Sequence, residues 1–90
     1  MKSGSVAASS ISANINSSPF LYSNPNRKGA TIWNNSTSNL FIDFDTEATT
    51  TEYAVKIPSH GYFELPFNYV GPIAGVWEVA DGQAFIREFN

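Results

Sequence analysis

Residues 75–89 read GVWEVADGQAFIREF, two runs rich in β-branched and aromatic side chains on either side of Asp81-Gly82. Asp and Gly both tolerate the positive φ of a tight two-residue turn, so the stretch predicts a β-hairpin. Upstream, the same period of two recurs. Phe63 and Leu65 share a face after the Ser59-His60-Gly61 turn, and Tyr53, Val55 and Ile57 alternate with Ala54 and Lys56 until Pro58 stops the run. Leu40, Ile42 and Phe44 alternate with Phe41 and Asp43, and Ala30-Thr31-Ile32-Trp33 runs into the turn cluster Asn34-Asn35-Ser36. That makes about six short strands with a turn signal about every ten residues and no helical periodicity. The chain is therefore expected to be all-β, a small antiparallel β-sandwich or barrel. Its core should contain Ile32, Leu40, Ile42, Phe44, Val55, Ile57, Phe63, Leu65, Trp77, Val79 and Ile86, with Trp33 also inside.

Residues 1–26, MKSGSVAASSISANINSSPFLYSNPN, have a different character: eight Ser, four Asn and Lys2 as the one charged side chain. Ser and Asn compete for backbone hydrogen bonds, and the sparse apolar residues follow neither structural period. These residues are expected to form an extended N-terminal arm on a body spanning 27–90. The arm would be disordered alone, because it buries too little to offset an ordering cost of roughly 1–2 kcal/mol per residue. On a partner, Ile11 and Ile15 would act as pocket anchors, beside the cluster Phe20-Leu21-Tyr22. Phe67 and Tyr69, in the loop after Pro66, are the expected exposed contact patch of the body.

Composition narrows the chemistry. Ninety residues with no cysteine exclude a disulfide framework and a thiolate metal site. A net charge of −3 argues against nucleic acid, which needs clustered cations, and the only adjacent basic pair is Arg27-Lys28. No apolar run reaches the ~20 residues of a membrane helix, nor the 7–15 of a secretion signal. His60 is the single histidine; it lies in a turn, and Ser59 beside it is not expected to face it as a dyad. Asp43, Asp45 and Glu47 can be drawn as a calcium site on one strand face. They lack the glycine-containing loop of an EF-hand, and a charge-solubilised edge is the better reading. No catalytic residue, metal or cofactor is expected.

Residues 26–36, NRKGATIWNNS, residues 51–66, TEYAVKIPSHGYFELP, and Gly75-Val76-Trp77 ahead of Asp81-Gly82 together resemble segments of small virion proteins of tailed phages and prophages. The resemblance spans roughly residues 26–89 and leaves the arm uncovered. It implies a head or tail component, a capsid cement (decoration) protein at the virion surface, with the major capsid protein as partner and self-association, a trimer favoured. The N-terminal arm would clamp neighbouring capsid subunits. A carbohydrate-binding module on a tail or host surface, stacking sugars on Tyr62, Phe67 and Tyr69, is the alternative.

Overall fold

The alternation of apolar and polar residues is realised as eight strands and no helix in the computed structural model, which describes residues 4–65 and 69–90. In chain order they are β1 (Val6–Ser12), β2 (Ser18–Leu21), β3 (Gly29–Ser36), β4 (Leu40–Asp43), β5 (Val55–Ile57), β6 (Tyr62–Glu64), β7 (Ile73–Trp77) and β8 (Gly82–Phe89). They form two antiparallel four-stranded sheets, β1-β8-β3-β6 (sheet A) and β2-β7-β4-β5 (sheet B). The all-β expectation holds, with eight strands in place of about six.

Both additional strands come from residues 1–26. Within that segment, β1 runs beside β8 from Val6↔Phe89 to Ser12↔Gln83, and β2 lies on β7. Phe20 and Leu21 are buried in the same cluster as Ile32, Leu40, Ile42, Ile57, Trp77 and Ile86. The Phe20 ring sits 5.4 Å from that of Trp77 and lies over Gly75, where any Cβ would collide with it. The apolar burial that the segment lacks on its own is thus supplied by the body.

Every connection between consecutive strands crosses from one sheet to the other, except β4 to β5. The expected hairpin at Asp81-Gly82 is therefore corrected, since β7 and β8 belong to opposite sheets and pair with other strands. β7 is buried at all five positions, as a central strand covered on both faces must be. An arch between sheets needs the same positive-φ residue as a hairpin, so the dipeptide alone does not separate the two. Gly82 has φ of 92°, and a Cβ there would run into the backbone of Asn35 and Ser36. Gly82→Ala should lower the urea midpoint by the equivalent of about 1–3 kcal/mol; an unchanged midpoint would show that the arch relaxes.

Two core assignments are also corrected. Val79 is 54% exposed because the chain leaves sheet B after Trp77, and Trp33 is 41% exposed. Inward positions of β3 are Ala30, Ile32, Asn34 and Ser36, so the polar Asn34 is inside and the tryptophan outside. β3 accordingly runs through the cluster read as a turn.

Asn34 explains that inversion. Its Nδ2 donates to the carbonyls of Ser38 (2.9 Å), Ile57 (3.0 Å) and Pro58 (3.1 Å), while Oδ1 accepts from Ser36 Oγ (2.8 Å) and Trp77 Nε1 (3.0 Å). The indole nitrogen can only donate, which fixes the amide orientation. On the main chain, Asn34 N donates to Gly61 O and Asn34 O accepts from His60 N. One buried residue therefore ties the β3–β4 arch, the β5–β6 arch and β7 together.

Candidate functional site

An edge strand exposes a row of unpaired backbone groups, and proteins normally blunt it. Three of the four edges here are blunted. β2 carries Pro19 and a register irregularity, β5 has three residues including the exposed Lys56, and β6 has three residues ending in Glu64. β1 has seven residues, VAASSIS, with no charge, proline or bulge in its pairing.

Parity along β1 identifies which groups point outward. Ser5 and Asn90 exchange both backbone hydrogen bonds, N to O at 3.3 Å and 3.0 Å, so they are a hydrogen-bonded pair. Such pairs alternate in an antiparallel ladder, and Ala13 N donating to Gly82 O keeps the same parity. Val6, Ala8, Ser10 and Ser12 therefore direct their N–H and C=O groups away from β8. No described strand lies on that side.

β1 and β2 are edge strands of facing sheets, and a groove of about 640 Å³ opens between them. Ser9 and Ile11 of β1, residues 18–24 and Glu88 line it. Arg27 builds one wall. Its side chain is buried, with Nε 2.7 Å from Glu88 Oε2, Nη1 donating to the carbonyls of Gly71 (2.8 Å) and Tyr69 (3.2 Å), and Nη2 donating to the Tyr22 carbonyl. The planar guanidinium can satisfy four acceptors at once where an ammonium could not. Arg27, read in the sequence only as half of a basic pair, is what fixes the chain after β2 against β8.

Four of the seven expected contact residues meet at this groove: Ile11, half-buried, the core residues Phe20 and Leu21, and Tyr22, 75% exposed. Phe20 and Leu21 form its floor and are not free anchors. Ile15 is exposed in the β1–β2 connection and does not line the groove. Phe67 lies outside the described residues. Tyr69 is an internal strut instead of an exposed patch: its hydroxyl lies 2.8 Å from the Pro72 carbonyl and 3.1 Å from that of Phe44, and its ring packs on Phe44 at 5.2 Å. Burial raises the Tyr69 pKa above its ordinary value; Arg27 opposes that shift, and Asp45 and Asp43 add to it.

The polar candidates also take definite places. Ser59 Oγ lies 3.0 Å from His60 Nδ1, contrary to the expectation that the two would not face each other. Left-handed backbone at His60, φ 60°, brings them together. The Ser59 hydroxyl donates to the Ser36 carbonyl, so its proton is not directed at the imidazole. Asp43 and Asp45 each accept from the following backbone N–H, at 2.9 Å and 2.7 Å. Among the described residues no group of three or more His, Asp or Glu side chains converges as a metal site.

No protein-family model, no curated protein and no solved structure matches the chain.

Proposed function

We propose that the chain is a non-enzymatic structural protein of a tailed-phage virion, a cement or decoration protein that binds the outer capsid shell and fastens neighbouring subunits of the major capsid protein through its N-terminal segment. The observation that supports attachment there is the contrast among the four edges, with only β1 long, uncharged and unblunted. The phage assignment rests on the sequence resemblance across residues 26–89.

In this reading the N-terminal segment works as an edge in place of a loose strap. A strand of the shell adds alongside β1, bonding to the outward groups of Val6, Ala8, Ser10 and Ser12, and side chains from it enter the groove over Phe20 and Leu21. Each contact is modest, but many copies on one lattice resist loss through multivalency. Three copies around a symmetry axis is the favoured arrangement, which sedimentation of the free protein tests by giving a trimer mass or a monomer mass.

Ala8→Pro tests the edge. The N–H of Ala8 points away from β8, so proline removes a donor to the partner without removing a bond within sheet A. Circular dichroism should be unchanged, while binding to shells lacking the protein falls at least about tenfold. Loss of one hydrogen bond, about 0.5–1.5 kcal/mol, acts together with the ring's obstruction of the incoming strand. Undiminished decoration by a folded Ala8→Pro variant would remove β1 as the attachment element.

A further inference from the structure

We propose that the outer face of sheet A is a glycan-binding platform for a linear, neutral chain of β-linked hexopyranoses. The proposal is independent of the attachment edge and of the phage reading. It rests on the strand register, because Phe85 of β8, Trp33 of β3 and Tyr62 of β6 are direct cross-strand partners in one row. All three belong to the outward parity, since their neighbours Ala84, Ile86, Ile32 and Asn34 are buried. Trp33 is 41% and Tyr62 55% exposed, and neither has a ring partner among the described residues.

A tryptophan on the outside of a strand whose inside holds asparagine and serine is an expensive arrangement unless the ring has something to cover. Adjacent strands are about 4.8 Å apart, close to the length of one pyranose unit. A row of rings running across the strands can therefore meet successive sugars, each laying its C–H face on an aromatic face.

The row's surroundings choose the occupant. On one side the register puts Asn35 beside Gln83, and on the other Arg87, Thr31 and Glu64. The apolar stripe is thus one residue wide and bordered by side chains that bond hydroxyls. A protein partner would meet too narrow an apolar core, whereas a single chain fits along it. Charge agrees: Arg87 and Glu64 border the row and Lys28 lies in the cleft beside it, a mixture of signs that suits a neutral ligand better than an ionic one. Next to the row, a cleft of about 440 Å³ is lined by Lys28, Thr31, Tyr62, Glu64 and Phe89, within the size range of small-ligand sites. The Tyr62 hydroxyl donates to Glu64 Oε2 at 3.1 Å, holding the ring at the mouth of that cleft.

The two tryptophans make the test selective, because Trp77 is fully buried and Trp33 exposed. Acrylamide quenching of the full-length protein reads Trp33, and cellohexaose or N-acetylchitohexaose should reduce it. Calorimetric titration with the same hexamers should show affinity falling at least about tenfold in Trp33→Ala and in Tyr62→Ala, partly recovering in Trp33→Phe. Tyr53→Ala, an exposed aromatic outside the row, should bind as the unmodified chain does. Protection by only one hexamer would assign the sugar type and sustain the platform. Absence of quenching protection and of binding heat for both hexamers would overturn it, as would binding unaffected by both alanine variants.

Discussion

Asn34→Ala is expected to remove a large share of the protein's stability in water at room temperature. Truncation strands the Trp77 indole N–H and removes the side-chain donor to the Ile57 carbonyl at the start of the β5–β6 arch. Two or three such groups at about 1–3 kcal/mol each come to about 2–9 kcal/mol. A domain of this length holds only about 5–13 kcal/mol, from about 0.05–0.15 kcal/mol per residue. Asn34→Asp separates hydrogen bonding from packing, because it keeps the shape but turns three donated bonds into a carboxylate facing three carbonyls. It should be at least as damaging as alanine. Trp77→Phe, which removes one donor and leaves Ser36 Oγ on Oδ1, should be milder. Urea titrations followed by circular dichroism give the order, and a stable, cooperatively folding Asn34→Asp protein would contradict the role assigned to this amide.

The second large effect is at Arg27. Replacing it with Met leaves Glu88 and three carbonyls without their common donor, and breaking one side of a buried pair costs about 3–5 kcal/mol. Arg27→Lys should recover little, since one ammonium cannot reach acceptors on β8, on the chain after β2 and at residues 69–71 together. The double variant Arg27→Met/Glu88→Leu should lose less than Arg27→Met alone, because no part-buried carboxylate is left without its partner. Differential scanning calorimetry of the three proteins checks the ranking; equal losses in the single and double variants would mean that the carbonyl bonds, and not the ion pair, dominate.

These two residues also show where the sequence was legible. Period-two alternation between Leu40 and Phe44, between Val55 and Ile57 and around Trp77 and Ile86 identified an all-β chain and most of its core. β1 was not legible, because Val6–Ser12 alternates weakly and is almost wholly exposed; its strand character comes from pairing with β8. β2 left a trace in Phe20-Leu21 behind Pro19, an apolar pair that a solvated arm has no use for. The sheet assignment of Asp81-Gly82 was hidden, since hairpin and arch share a turn chemistry. Asn34 and Arg27 were misread for one reason: a polar side chain satisfied by distant carbonyls has no local pattern to announce it. The groove was half visible, through Ile11 and residues 20–22, but its wall, Glu88 held by Arg27, joins parts of the chain 61 residues apart.

Attachment through β1 is tested most directly by cryo-microscopy of particles decorated with the full-length chain. Many copies are expected on the outer shell, each with β1 paired to a strand of the capsid protein and the groove between β1 and β2 filled by its side chains. A few copies confined to the tail, or a shell contact made by another face with β1 open to solvent, would contradict it.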